Sequence, residues 1–209
     1  MEILLNEIDK SFGNNQLFDK FSLQIEQNNT LAILGDSGKG KSTLLNIMAL
    51  FEDVDSGEIL IDGMSTKDKN FNKTKYWRYK VGYLFQNYAL IDNFNVDKNL
   101  DIALKYVNEN KEHKELLKQQ ALDKVGLLNK KKNKVYTLSG GEQQRLAIAR
   151  LILKPCDIIL ADEPTGALDN TNKKYIMELL KSFKVINKTL VIVTHDTEIA
   201  DICDKVLEI

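Results

Sequence analysis

The sequence contains only two cysteines, Cys156 and Cys203, and two prolines among its 209 residues. So few cysteines exclude a disulfide-stapled scaffold and are typical of a protein in a reducing compartment. The sequence also has little net charge, −1 in total, because 29 lysines and arginines nearly balance 30 aspartates and glutamates. Domains that bind phosphate backbones are usually basic, so this balance argues against a nucleic-acid partner.

Long hydrophobic runs are missing as well. The longest apolar runs, such as 158–161 and 190–193, are strand-sized and fall well short of the ~20 residues that a membrane helix needs. The first residues lack the basic start and the apolar stretch of a signal peptide. Because hydrophobic residues make up 43% and charged residues 28% of the chain, we expect one folded, cytoplasmic domain over residues 1–209.

Strand and helix patterns alternate along most of the chain, which predicts an α/β fold with a largely parallel sheet. A block with helical spacing, from about 95 to 129, interrupts this alternation, and Gly126 is well placed to end its second helix. The basic run 130–134 behind it is expected to be a solvated loop or helix end. Strands are predicted at 1–8, 21–26, 30–34, 56–63, 81–85, 156–161, 189–194 and 206–209, and helices at 43–49, 142–153 and 171–184.

A glycine-rich segment between a predicted strand and a predicted helix matches the phosphate-loop pattern G-x-x-x-x-G-K-[ST]. Its glycines allow successive backbone N–H groups to point at phosphate oxygens, and the helix N-terminus adds its positive dipole end. We expect Lys41 to bridge the β- and γ-phosphates and Ser42 to bind Mg²⁺. The segment and the next residue are the predicted ATP-binding set: Gly35, Asp36, Ser37, Gly38, Lys39, Gly40, Lys41, Ser42 and Thr43.

Two carboxylates follow the apolar run 158–161. The carboxyl ends of parallel strands are where ligands bind in open α/β sheets. Asp162 is therefore a candidate Mg²⁺ ligand, and Glu163 is a candidate general base that activates water. The alternative for such a pair taken alone is a solvated acidic turn at the end of a strand.

A second glycine turn, Leu138-Ser139-Gly140-Gly141-Glu142-Gln143-Gln144-Arg145, opens a predicted helix. Taken alone, it is a capped helix start or a second anion site. Together with the phosphate loop, LSGGEQQR resembles the signature sequence of ATP-binding cassette (ABC) ATPases, and this likeness extends over nearly the whole chain. It implies a P-loop NTPase fold with a RecA-like core, an N-terminal antiparallel β subdomain and a helical subdomain inserted at about 87–150.

The resemblance also implies a head-to-tail homodimer around ATP and Mg²⁺. In such a pair, Ser139, Gly140 and Gly141 of one subunit contact the γ-phosphate bound by the phosphate loop of the other. The segment Ala167-Leu168-Asp169 is similar to the family's D-loop, which crosses the dimer seam, so Asp169 joins the predicted nucleotide-facing set.

Three further positions are assigned by the same resemblance. Gln86 is similar to the Q-loop glutamine, whose amide oxygen reaches Mg²⁺ or the attacking water. His195 is similar to the switch histidine that contacts the γ-phosphate, although a lone histidine after a strand is often only a polar cap. Phe12 is similar to the aromatic residue that stacks on adenine, and Phe18 is the nearby alternative.

Two departures from the common family pattern are visible. Lys39 replaces a small polar residue in the phosphate loop, and since only its backbone N–H is needed there, ATP binding should survive. Gly166 replaces the usual serine before the D-loop, in a variant similar to that of lipoprotein-releasing, macrolide-efflux and antimicrobial-peptide transporters (LolD/MacB type). The stretch 83–91 is similar to ATPases of bacteriocin-export systems.

These likenesses imply the ATPase subunit of an ABC transporter, powering export of a peptide, lipoprotein or drug-like molecule through a separate permease. The subunit would lie on the inner face of the membrane, with Tyr88, Leu90, Ile91 and Phe94 as candidates for docking on that permease or for packing inside the helical subdomain. One alternative is an ABC ATPase of a cell-division type signalling complex. Another is a silent module that binds ATP without hydrolysing it.

Overall fold

The computed structural model describes residues 1–166, 168–185 and 187–209, with Val185 described by its backbone alone. Nine strands and seven α-helices are assigned in this part of the chain. The strands are β1 Ile3–Phe12, β2 Asn15–Ile25, β3 Thr30–Leu34, β4 Ser56–Ile61, β5 Met64–Ser65, β6 Val81–Leu84, β7 Ile158–Asp162, β8 Thr189–Val193 and β9 Lys205–Glu208. The helices are α1 Lys41–Met48, α2 Lys73–Tyr79, α3 Val96–Ala103, α4 Lys111–Lys124, α5 Gly140–Leu153, α6 Asn170–Val185 and α7 Thr197–Ala200.

The strands form two sheets. An antiparallel sheet has the order β2-β1-β4-β5, and a sheet in which every pairing is parallel has the order β6-β7-β8-β3-β9. Strands β7 and β8 are buried along their whole length, as expected for the middle of a parallel sheet covered on both faces. The expectation of an α/β fold that combines a parallel core with an N-terminal antiparallel sheet is confirmed.

Most predicted elements are present, with shifted ends. The first two strands are longer than predicted, because β1 and β2 form one hairpin that turns at residues 13–14. Helices α2 and α7 and strand β5 were not predicted, since all three are short and carry no clear periodicity. No helix in the described part of the chain combines the length and the apolarity that crossing a bilayer requires.

The chain between β6 and β7 is largely helical and contains α3, α4 and α5. Helix α4 ends at Lys124, and Gly126 follows with φ 66°, which agrees with its predicted role as a helix stop. The basic run 130–134 was expected to be a solvated loop or helix end, but its first two residues form ion pairs. Lys130 pairs with Glu142 of α5, and Lys131 pairs with Glu115 of α4.

Asp204 ties α6 and β3 together at the edge of the parallel sheet. Its carboxylate pairs with Lys184 and accepts hydrogen bonds from the backbone N–H and the hydroxyl of Thr30, at 2.9 and 2.8 Å. The Lys184 ammonium, followed by the Thr30 N–H, lowers the pKa of Asp204 to about 2. Because the folded pKa is depressed, this carboxylate stabilises the fold above the unfolded pKa of about 4.

We therefore expect Asp204→Asn to lower the free energy of unfolding at pH 7 by about 1 kcal/mol, a modest loss because the carboxylate is partly exposed. The difference from wild type should shrink as the pH falls from about 4 towards 2, where the native carboxylate is itself protonated. Urea denaturation across this range measures it, with Asp201→Asn, an exposed neighbour, as control. A difference that does not depend on pH would contradict the assignment.

Candidate nucleotide site

The phosphate loop connects β3 to α1 at the carboxyl edge of the parallel sheet. Lys41, the first residue of α1, is only 8% exposed. Its ammonium donates to the carbonyl oxygens of Gly35 and Asp36, at 2.7 and 2.8 Å. The loop therefore curls around one buried cation beside a helix N-terminus, which is an arrangement suited to phosphate.

Two glycines of this loop are required by packing as well as by the turn. Gly35 has φ 151°, and a Cβ there would lie 2.2 Å from the carbonyl oxygen of Ile209, just beyond β9. Gly40 has φ 93°, and a Cβ there would lie 3.1 Å from the ring of Phe18. Both positions favour glycine because of their left-handed backbone; at Gly35 a Cβ would also clash with a backbone atom, whereas at Gly40 it would press on the Phe18 ring.

The other side chains of the loop differ in accessibility. Thr43 is half-buried in α1. Lys39 is exposed, which agrees with the view that only its backbone is needed in the loop. The exposed members of the predicted ATP-binding set, available to a nucleotide, are Asp36, Ser37, Gly38, Lys39 and Ser42.

Ser42 and Asp162 come together although 120 positions separate them in the chain. The Ser42 hydroxyl donates to Asp162 Oδ1 at 3.0 Å, which joins the start of α1 to the end of β7. Burial raises the pKa of Asp162, although the Ser42 hydroxyl and Lys41 oppose this. A hydroxyl and a carboxylate are oxygen ligands of the kind that Mg²⁺ prefers.

These two residues fit Mg²⁺ only together with a nucleotide. No group of three or more His, Cys, Asp or Glu side chains that could hold a metal occurs in the part of the chain that the structure describes. Mg²⁺ keeps a near-octahedral shell and is usually held by one or two protein oxygens with phosphates and water. The pair therefore suits a metal that arrives with phosphate oxygens.

Glu163 is held by two residues that follow β8. Its Oε1 lies 3.0 Å from His195 Nδ1, and its Oε2 accepts a hydrogen bond from the Thr194 hydroxyl at 3.3 Å. The backbone of Glu163 has φ 45°, a left-handed conformation that is costly for a non-glycine residue. Contacts with Thr194 and His195 therefore fix the position of the Glu163 carboxylate, as expected where placement matters for chemistry.

One pocket of about 240 Å³ brings four predicted residues together. Ser37 of the phosphate loop, Gln86 after β6, Glu163 and His195 all line it. Gln86 and His195 are exposed, so both side chains are accessible to a ligand. The predicted phosphate, water-activating and switch positions therefore converge in space.

The second glycine turn lies at the start of α5. Ser139 caps this helix in a capping box: its hydroxyl accepts from the N–H of Glu142 at 3.4 Å, and Glu142 accepts from the N–H of Ser139 at 2.9 Å. Ser139 and Gly140 are exposed, and Gly141 is buried. These three residues do not line the pocket around Glu163. Within one chain, Ser139 and Gly140 therefore present a capped helix start to solvent, outside that pocket.

Asp169 caps the next helix, α6. Its Oδ1 accepts from the N–H groups of Thr171 and Asn172, at 3.0 and 2.9 Å. These contacts, with Asn172 first, lower the pKa of Asp169. Ala167 of the predicted D-loop lies outside the described residues.

Phe12 and Phe18 differ sharply in exposure. Phe12, at the end of β1, is 50% exposed, and the Lys10 ammonium lies 4.8 Å from its ring centroid. Phe18 is 4% exposed and packs beneath the phosphate loop. Of the two, only Phe12 has a ring that is accessible to a ligand.

A family model described as "ABC transporter" matches residues 18–166, which contain the phosphate loop, the glycine turn and both carboxylates. The chain belongs to the ABC transporter family. The expected resemblance is therefore confirmed at the level of the family.

Named relatives of this ABC chain include macrolide export ATP-binding/permease proteins MacB. The protein from Campylobacter jejuni is 36% identical over 208 residues, and that from Neisseria meningitidis is 36% identical over 207 residues. These alignments cover 99% and 97% of this chain but 32% of each relative. The chain thus spans about a third of the length of these curated relatives.

A solved ABC structure matches almost the whole chain. The ATP-binding cassette MJ0796, described as a dimer in a post-hydrolysis state bound to ADP and Pi, is 33% identical with a TM-score of 0.88. The match covers 99% of this chain and 94% of that one. The fold of this chain is therefore that of an ABC cassette.

Sequence reasoning missed two residues that shape the ABC site. Thr194 is fully buried and binds Glu163; its place directly before His195, after an apolar strand, was an available signal. Gln144 is 2% exposed, lines the same pocket and donates to the carbonyl oxygen of Pro164 at 2.8 Å. Its burial depends on the packing of α5 against the loop after β7, which periodicity does not show.

Proposed function

We propose that this chain hydrolyses ATP to ADP and phosphate. The observation that carries the proposal is the placement of Glu163, whose carboxylate is held by Thr194 and His195 in the pocket beside the phosphate loop. In the reaction, a water oxygen bonds to the γ-phosphorus while the bond from that phosphorus to the β–γ bridging oxygen breaks. Glu163 accepts a proton from the water, and ADP leaves with the bridging oxygen.

The remaining predicted residues bind and orient the nucleotide. Lys41 and the backbone N–H groups of the phosphate loop neutralise the β- and γ-phosphates, and Phe12 stacks on the adenine. His195 and Gln86 face the γ-phosphate and the attacking water. Ser42, Asp162 and Gln86 would hold Mg²⁺, which supplies positive charge to the phosphate oxygens when bound.

A head-to-tail homodimer is the functional unit in this proposal. The exposed helix start at Ser139 and Gly140 lies outside the pocket of its own chain, so it is free to cap the γ-phosphate of a partner copy. The description of the 33%-identical cassette MJ0796 as a dimer supports the pairing of two copies. Two ATP molecules would then join the subunits, and hydrolysis would remove the contacts that favour the closed pair.

The wider role that we propose is to power export through a membrane-spanning permease, in the manner of LolD/MacB-type cassettes. The support is the likeness to proteins named macrolide export ATP-binding/permease protein. In this proposal, residues 1–209 form one nucleotide-binding domain at the inner face of the membrane, and residues 87–150 form its helical subdomain.

The proposal is tested by ATP turnover of the wild-type chain with Mg²⁺, measured as phosphate release over a range of protein concentrations. We expect the rate per subunit to rise with concentration, because each site needs a partner copy. The silent ATP-binding module would be indicated instead if wild-type turnover were no faster than that of Glu163→Gln.

The four candidate docking residues differ in exposure. Ile91 and Phe94 are 41% and 39% exposed, whereas Tyr88 and Leu90 are half-buried and pack against the core. The alternative that we left open, packing inside the domain, therefore describes Tyr88 and Leu90 better. Phe94 and Ile91 remain the candidates for contact with the permease.

We expect Phe94→Ala to weaken association with the permease several-fold, because an exposed aromatic is a common anchor of an interface. Photo-crosslinking from position 91 in native membranes would identify the partner, and co-purification of that partner would compare the variants. Met64→Ala, which removes a 46%-exposed side chain from β5, is the control. Equal recovery of the partner with Phe94→Ala, Met64→Ala and wild type would contradict the docking assignment.

A further inference from the structure

Asn172, in the first turn of α6, bridges two parts of the chain that sequence analysis treated separately. Its side-chain oxygen accepts a hydrogen bond from Arg145 Nη1 of α5 at 2.5 Å, and its Nδ2 donates to Asp169 Oδ2 at 2.7 Å. We call Arg145, Asn172 and Asp169 the Asn172 clasp. One carboxamide thus makes both hydrogen bonds: its oxygen accepts from Arg145 and its nitrogen donates to Asp169.

The same carboxamide packs on the second glycine turn. A Cβ at Gly141 would lie 2.7 Å from Cγ and 2.8 Å from Oδ1 of Asn172. The Asn172 side chain therefore contacts both the turn at 139–141 and Asp169. Gly141 needs to be glycine here because Asn172 occupies the space where a larger residue would place its Cβ.

Further contacts hold the clasp in place. Gln144, one position before Arg145, donates to the carbonyl oxygen of Pro164 at 2.8 Å. The guanidinium of Arg145 lies 5.6 Å from the ring centroid of Tyr175, one turn along α6 from Asn172. Because the Arg145 guanidinium is charged, its hydrogen bond to Asn172 is directional and costly to lose.

We propose that Asn172 is a positioning residue that holds the glycine turn and Asp169 in a fixed relation to each other for presentation to a partner copy. This inference rests on the proposed function, in which both segments face the nucleotide of the other subunit. Asn172 lies outside the phosphate loop and the pocket around Glu163. Its loss should therefore weaken ATP-dependent pairing of subunits and leave nucleotide binding by a single chain intact.

The test uses Asn172→Ala, with Asn170→Ala as matched control, because Asn170 is an exposed asparagine in the same first turn. In the Glu163→Gln background, sedimentation velocity measures dimer formation with ATP. We expect Asn172→Ala to weaken dimerisation at least about tenfold, because it removes hydrogen bonds to two charged groups, Arg145 and Asp169. Affinity for a fluorescent ATP analogue at dilute protein should stay within twofold, which also reports that the variant is folded.

Two further variants separate positioning from general stability. In a double-mutant cycle, Arg145→Ala should add little to Asn172→Ala, because both remove the same hydrogen bond. Asn172→Asp keeps an acceptor for Arg145 but loses the donor to Asp169 and places a second carboxylate against it, so dimerisation should be impaired as in Asn172→Ala.

The outcomes are distinguishable. If Glu163→Gln alone fails to dimerise with ATP and wild type does not hydrolyse it, the proposed function fails. If both behave as proposed but Asn172→Ala dimerises like Asn170→Ala, the positioning role of Asn172 is wrong. Equal losses of single-chain nucleotide affinity and of dimerisation would also overturn it, because the residue would then act on the fold as a whole.

Discussion

Replacing Glu163 by glutamine should abolish steady-state ATP hydrolysis and accumulate an ATP-bound dimer. Glutamine keeps the shape and an oxygen that can accept from Thr194, but it cannot take a proton from water. Loss of a general base typically lowers turnover about 10²–10⁴-fold. Phosphate release measures turnover, and size-exclusion chromatography with light scattering measures the mass of the trapped species.

Glu178→Gln is the matched control, because Glu178 is an exposed glutamate on α6; it should retain wild-type turnover and show no trapped dimer. Hydrolysis by Glu163→Gln within a few-fold of wild type would show that another group activates the water. A dimer that forms equally without ATP would show that association does not depend on the γ-phosphate.

Replacing Lys41 by alanine should weaken ATP binding about 100-fold or more. Lys41 is the buried cation of the phosphate loop and is already aligned by the carbonyl oxygens of Gly35 and Asp36. Each hydrogen bond between charged groups contributes about 1.5–3 kcal/mol, and this ammonium is expected to make two with the phosphates. Equilibrium titration with a fluorescent ATP analogue measures the change.

Lys39→Ala provides the comparison within the same loop. The Lys39 side chain is exposed, and only its backbone N–H is expected to meet phosphate, so affinity should fall less than about threefold. A loss as large as that of Lys41→Ala would mean that Lys39 binds phosphate directly. Unchanged affinity in Lys41→Ala would exclude the proposed site.

Elements with local signals were predicted well. Strand β3 has the predicted bounds, 30–34, because a short apolar run is followed at once by the glycine turn that ends it. Helix α5 differs only at its start: Ser139 caps it, so it begins at Gly140, two residues before the predicted first residue. The hairpin of β1 and β2 was predicted too short, because its outer half is held by cross-strand pairing and not by a periodic pattern of its own.

Motifs that depend on neighbours along the chain can be predicted from the sequence alone. The phosphate loop, the acid pair after β7 and the capped glycine turn are each written within a few consecutive residues, because backbone torsions and helix ends are local properties. Which of these segments come into contact depends on the strand order of the sheet and on the packing of the helices. Ser42 reaches Asp162 because the sheet brings the ends of β3 and β7 to one edge, and Glu163 meets His195 because β7 and β8 are neighbours. Asn172 contacts Gly141 because α5 and α6 pack together, and strand order and helix packing leave no short-range trace in the sequence.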